Sequence, residues 1–282
     1  MKHWICRQCG MQYDASPEPP SGCPICQDER QYVRWEGQAW TTLEELRREH
    51  RNRIEEEDAG VVGIGTEPKF AIGQRALLVR TGARNVLWDC ITLLDDATVA
   101  EVERLGGIDA IAISHPHYYS SMVEWSRAFG GVPIYLHEAD REWVMRQDPA
   151  VAFWSGETHD LGEGLTLLRL GGHFPGGTVL HWAGGADGAG ALFTGDILQV
   201  VPDRRWVSFM YSYPNLIPLP THEVRRMAAA VEPFAFERLY GAWWGYRILE
   251  DAKGAVRRSA DRYIAALERS PMRQSLVEPR SG

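Results

Sequence analysis

The sequence predicts a layered fold of mixed α and β character with a small metal-stabilised unit at its N-terminus. Three observations predict it. Short apolar runs alternate with helical stretches over most of the chain after residue 70. Four of the five cysteines fall into two CxxC pairs near the N-terminus. At 282 residues the chain can bury one large core beside a small unit.

Residues 1–36 read as the small unit. Cys6-Arg7-Gln8-Cys9 and Cys23-Pro24-Ile25-Cys26 place four thiolates in tetrahedral reach of one ion, across a Pro- and Ser-rich loop. A unit this short needs a metal to fold. Residues 37–59 read as a helical linker, with a helix over Thr41–Glu57. Thr41 or Thr42 can cap it, Glu44 and Glu45 suit its first turn, and arginines follow. Gly63-Ile64-Gly65 lacks the spacing of a nucleotide loop.

Residues 60–282 form the large domain. Arg75–Val79 and Asn85–Trp88 are strands flanking the turn Thr81-Gly82-Ala83. Thr98–Leu105 is a helix stopped by Gly106 and Gly107. Ile108–Ile113 is a buried strand, and Ser114-His115-Pro116-His117 follows it. Next come a helix over Met122–Phe129, a strand over Pro133–Leu136 and a helix over 140–147. His137, at a strand end, is either a cap or a residue facing the site. Leu165–Leu170 is a strand leading to Gly172-His173-Phe174-Pro175-Gly176. Thr178–Trp182 and Ala191–Thr194 pair as a hairpin, with His181 structural, and Thr194-Gly195-Asp196 ends it. Gln199–Pro220 is a long aromatic segment. It either roofs the site or packs on the small unit or a second subunit. His222–Val231, Arg238–Tyr240 and Gly254–Glu268 close the chain as helix, strand and helix. Cys90 reads as a buried small apolar residue.

His115, His117, His173 and Asp196 each lie just past a strand. Neutral imidazoles and a carboxylate there can turn to one metal ion. The order His-x-His, Gly-His-x-Pro-Gly, Thr-Gly-Asp resembles the metallo-β-lactamase fold superfamily of metal-dependent hydrolases over roughly residues 60–265. That resemblance implies an α+β fold, an αββα sandwich of two mixed sheets flanked by helices, with the zinc ribbon added. It implies that Asp89 supports a metal-binding histidine from behind. The family pattern His-x-His-x-Asp-His has Tyr119 and Ser120 at its last two positions here. The stretch Leu239–Gly245 lacks the family's late histidine. The expectation is therefore one ion in this domain, not two. Trp4–Asp14 also resembles the first knuckle of rubredoxin. The gap to the second pair is much shorter, which favours a zinc ribbon over an iron site.

The expected activity is hydrolysis of a small ester, lactone, thioester or amide by metal-activated water. The alternatives are an iron oxygenase or redox protein of the same fold, or a non-catalytic binding module. Asp196 is the candidate base. Tyr118 and Tyr119 are candidate hydrogen-bond donors to an oxyanion or leaving group. Trp206, Phe209, Tyr211 and Trp244 are candidate substrate contacts. The cofactors expected are zinc in the ribbon and in the main site, with iron possible in either. A net charge of −8 argues against nucleic acid and anionic membranes as partners. No apolar run approaches a bilayer span and no signal peptide is present, so a cytoplasmic location is expected. A homo-oligomer through the ribbon or the aromatic segment is a further expectation.

Overall fold

The structure, a computed structural model, describes residues 1–268. Two mixed sheets stack face to face. The first has seven strands in the spatial order Val151–Trp154, Ile134–His137, Ala110–Ala112, Asn85–Trp88, Arg75–Arg80, Val61–Glu67, Arg51–Asp58. The first four of these run parallel and the rest antiparallel. The second has six strands in the order Thr158–Gly162, Leu165–Arg169, Thr178–Trp182, Ala191–Gly195, Arg238–Gly241, Arg247–Ile248. Its pairs are antiparallel except Ala191–Gly195 with Arg238–Gly241.

Period-two alternation divides each strand between two cores. Leu77 and Val79 point inward and meet Leu165, Leu167, Leu180 and Phe193 of the facing sheet. Ala76 and Leu78 point outward, into a layer shared with Trp125 of the helix Met122–Ala128. On the other side, Leu168, Leu192 and Leu239 pack under the helices Thr221–Val231 and Ala252–Glu268. The result is the expected αββα sandwich. Arg75 ties the two sheets together. Its buried guanidinium pairs with Glu57 and donates to the Gly241 carbonyl.

The N-terminal unit is a three-stranded antiparallel sheet, Gln12–Ser16, Lys2–Cys6 and Trp40–Thr41. It does not stand apart. All four of its CxxC cysteines, Met11 and Ile25 join the outer core of the first sheet. Thr92 Oγ1 donates to the Gly10 carbonyl at 3.0 Å and Gln12 N to the Ser120 carbonyl at 3.1 Å.

Two expected helices are corrected. The helix in the 37–59 linker covers only Leu43–Glu49, held by a full capping box between Thr42 and Glu45. Arg51–Asp58 is instead the edge strand of the first sheet, paired in register from Arg51 opposite Glu67 to Glu56 opposite Val62, with a register shift before Asp58 meets Val61. Its Arg- and Glu-rich composition suits a helix, but backbone pairing with Val61–Glu67 decides the outcome. Charges on that edge also discourage further strands from adding. Residues 140–147 hold no α-helix; Glu138–Trp143 is 3₁₀. The strands Val61–Glu67, Val151–Trp154 and Thr158–Gly162 had no counterpart in the sequence reading.

Candidate metal centre

The centre forms where strands of both sheets end. Asp89 follows the strand Asn85–Trp88 with φ +60°. Its Oδ1 accepts from Ser114 N at 2.8 Å and from Ser114 Oγ at 2.7 Å. Ser114 Oγ in turn lies 2.9 Å from His115 Nδ1. Because the hydroxyl donates to Asp89, it accepts from His115 Nδ1–H, which leaves Nε2 as the free lone pair. Asp89 thus reaches His115 through Ser114 rather than by direct contact. Gly195 makes room for this relay. Its φ is +54°, and a Cβ there would come within 2.8 Å of Ser114 Oγ and 3.1 Å of Asp89 Oδ2.

His173 sits in the Gly171–Gly177 loop, which is closed by bonds from Leu170 N and Gly171 N to the Gly177 carbonyl. His173 Nδ1 lies 2.7 Å from the Tyr211 carbonyl, so it carries the proton and Nε2 is free. The loop is further held by Asp140, whose Oδ1 accepts from Gly176 N at 2.8 Å. Burial pushes the Asp140 carboxyl up to about 6, partly offset by that bond and by Arg30 and Arg169. The folded chain therefore keeps this proton to higher pH than the unfolded chain. Stability from the group is full below pH 4 and is lost as pH rises through about 6. Asp140→Asn is expected to be more stable than the parent at pH 8, by about 1–3 kcal/mol, with the gap closing toward pH 4. Urea titrations at both values check this, and a gap that does not change with pH would refute it.

His115, His117 and His173 are all buried, and one ligand atom from each lies within 4.8 Å of the others. His173 Nε2 is 3.2 Å from His117 Nδ1, and His115 Nε2 is 3.2 Å from Asp196 Oδ1. Neither His115 Nε2 nor Asp196 Oδ1 has a hydrogen-bond partner. Nitrogen and oxygen ligands about 2.0–2.1 Å from a tetrahedral ion stand roughly 3.3 Å apart. The spacing therefore fits a metal ion, and orphaned buried atoms have no better explanation here. Burial holds His115 and His117 well below the usual imidazole range and His173 down to about 4. All three are thus neutral ligands at pH 7. Burial, with Asp89 nearby, pushes Asp196 up to about 7, and burial does the same to Asp89.

The four cysteines meet the same test. Cys6 Sγ is 3.6 Å from Cys26 Sγ, and Cys9 Sγ is 3.6 Å from Cys23 Sγ. Thiolates at about 2.3 Å from a tetrahedral ion stand about 3.8 Å apart. All four are buried and none forms a disulfide.

A cavity of ≈ 250 Å³ opens over His117, His173 and Asp196. Its walls include Tyr213, Pro214, Trp243 and Ile72. Trp243 belongs to the stretch that lacks the family's late histidine. The expected fourth ligand, Asp196, falls outside the cluster of three histidines and lies beside His115 alone. A larger groove of ≈ 960 Å³ beside Gly171 and Gly172 is lined by Arg169, Arg226 and Glu223, and contains neither the three histidines nor Asp196.

The other candidates fall elsewhere. Tyr118 is buried against His115, ring centroids 4.4 Å apart, with its hydroxyl unbonded. Burial and the charge of Asp196 raise its pKa far above the usual phenol. Tyr119 is packed in the outer core and does not line the cavity. None of the four expected substrate contacts lines it either. Trp206 lies under Arg262, and Phe209 packs on Tyr263. Tyr211 bonds Glu29 through its hydroxyl at 2.7 Å. Trp244 covers Gly63 and Gly65, where any Cβ would meet its ring at 2.6 Å. The physical reason is packing. Two short hairpins, Gln199–Val200 with Val207–Ser208 and Met210–Ser212 with Ile217–Pro218, carry the segment, and its side chains turn to the helix Ala252–Glu268 (Trp206, Phe209) and to Glu29 of the N-terminal unit (Tyr211). His137 bonds the Gly156 carbonyl and Ala139 N, a structural cap, and His181 bonds the Ala235 carbonyl. The sequence reading missed Gln8, Gln31, Tyr32, Lys69 and Tyr213, which all line the cavity. The first three lie on the ribbon unit, and no local signal ties that unit to the mouth of a distant site.

The architecture and the centre are those of a metallo-β-lactamase-like protein. The metallo-beta-lactamase superfamily model matches residues 71–250, and the chain belongs to that family. It is 54% identical over 269 residues to the uncharacterized protein YmaE of Bacillus subtilis (strain 168), covering 95% of this chain and 97% of that one. Among solved structures it is similar to VMB-1, with TM-score 0.57 at 14% identity, covering 77% of this chain and 98% of the other. It is also similar to the mono-zinc form of the metallo-β-lactamase FIM-1 from Pseudomonas aeruginosa. There the TM-score is 0.53 at 15% identity, covering 75% and 95%. At these identities the two structures establish the fold. No helix among the described residues is long and apolar enough to cross a membrane.

Proposed function

We propose that this chain is a metal-dependent hydrolase of a small ester, lactone, thioester or amide, with one zinc in the main site and one in the ribbon. The observation that carries the reading is the cluster of His115, His117 and His173 ligand nitrogens, with Asp196 Oδ1 beside His115 Nε2, at a cavity that His117, His173 and Asp196 line. A zinc ion bound there supplies a water activated near neutral pH and polarises an acyl oxygen. The chain's own residues do the rest. Ser114 and the Tyr211 carbonyl fix two imidazole tautomers, so the ligand atoms are set before substrate arrives. Asp196 lies at the cavity floor, where its carboxylate can orient the attacking water and receive its proton. Tyr118, packed beneath His115, is a positioning residue rather than a substrate contact. A cavity of ≈ 250 Å³ is below the range of about 300–1,000 Å³ that holds drug-sized ligands, which favours a small substrate.

The test is metal analysis of the purified chain followed by a panel of activated esters, thioesters and lactones. Two zinc ions per chain and turnover that a chelator removes are expected. A coloured iron centre that consumes oxygen, or a fully zinc-loaded chain inert to the whole panel, would overturn the reading.

A further inference from the structure

We infer that the ribbon unit is the substrate-recognition wall of the hydrolytic site, with Gln31 as its specificity-determining residue. This deepens the proposed hydrolase and rests on that reading. Three side chains of the unit line the cavity over the metal centre: Gln8, Gln31 and Tyr32. Gln31 is only 6% exposed, and its Oε1 is buried with no hydrogen-bond partner. Such an acceptor carries a desolvation penalty of about 1–3 kcal/mol, so natural chains rarely leave one unmet. Gln31 lines the cavity, and a turn of its terminal amide, a broad torsion, brings the oxygen to an incoming N–H or O–H there.

The position of Gln31 is fixed from both sides. Its N–H donates to the Asp28 carbonyl at 3.0 Å, and its carbonyl accepts from Asn215 Nδ2 at 2.9 Å. The neighbouring Arg30 lies 3.9 Å over the Phe174 ring and donates to the His173 carbonyl at 3.4 Å. Gln8 is set by the first cysteine knuckle, between Cys6 and Cys9, where Gly10 N closes on the Cys6 carbonyl at 2.8 Å. An ion in the ribbon therefore sets one wall of a cavity whose floor belongs to the other centre. Tyr32, 49% exposed at the rim, offers a face for the apolar part of the arm. The ligand class is an acyl compound with a hydrogen-bond donor, an amide N–H or a hydroxyl, a few atoms from the carbonyl. A site built around such a bond rejects the analogue that lacks it.

The probes are two p-nitrophenyl esters of equal shape, N-acetyl-β-alanyl and 5-methylhexanoyl, assayed on the zinc-loaded full chain. The wild type is expected to prefer the amide-bearing ester in kcat/KM by about fivefold or more, the worth of one hydrogen bond. Gln31→Met keeps the side chain's length without its polar atoms, and the ratio is expected to fall to near one. The same ratio is read in the affinities of the two product carboxylates by calorimetry, which needs no turnover. Failure of both esters to react, with discrimination intact in product binding and lost in Gln31→Met, would sink the hydrolase but keep the wall. Equal treatment of the two arms by the wild type, persistence of the preference in Gln31→Met, or binding of neither product would each overturn the inference.

Discussion

Replacing His173 by alanine is expected to lower bound metal from two ions per chain to one and to cut ester hydrolysis by at least about a hundredfold. Its Nε2 faces His117 Nδ1 at 3.2 Å, and nothing else in the loop can take its place, since Gly171, Gly172, Gly176 and Gly177 carry no side chains. The fold is expected to survive. The loop is closed by its own backbone bonds and by Phe174, which packs on Trp143 and Arg30. Metal analysis and circular dichroism on one sample separate loss of the ion from loss of the fold. Retention of two ions would mean that the three imidazoles do not share one.

Cys23→Ser is expected to destabilise the whole chain, not the ribbon alone, by at least about 3 kcal/mol at saturating zinc. Structural zinc contributes about 10–16 kcal/mol of apparent folding energy in small units, and one lost thiolate forfeits part of that. The loss spreads because the four cysteines sit in one buried cluster with Leu78, Ile113 and Trp125. Urea unfolding followed by tryptophan fluorescence checks this. A ribbon that melted alone, with an unshifted main transition, would show that the packing across the junction contributes little.

The motif histidines were legible because strand ends are legible. Ile108–Ile113 is apolar and branched, so His115 and His117 had to follow a buried strand, and that strand is Ala110–Ala112. The CxxC pairs were legible because four thiolates at those spacings have few other uses. The edge strand Arg51–Asp58 was not, since its residues name no inward face: Ile54 is its one apolar side chain. The aromatic segment misled for a related reason. Aromatic residues show that something is packed, and only the tertiary structure shows against what. Tyr213 reaches the cavity while Trp206, Phe209 and Tyr211 do not.

The sequence by itself determined the four clustered cysteines, the three clustered histidines, the family and the layered fold, because these rest on residue type and local spacing. Tertiary structure alone decided that Ser114 stands between Asp89 and His115, that Trp243 rather than Trp244 borders the site, and that Gln8 and Gln31 reach it from the ribbon. Those are contacts between residues far apart along the chain, and their geometry is set by how sheets and loops pack, which no local pattern of residues records.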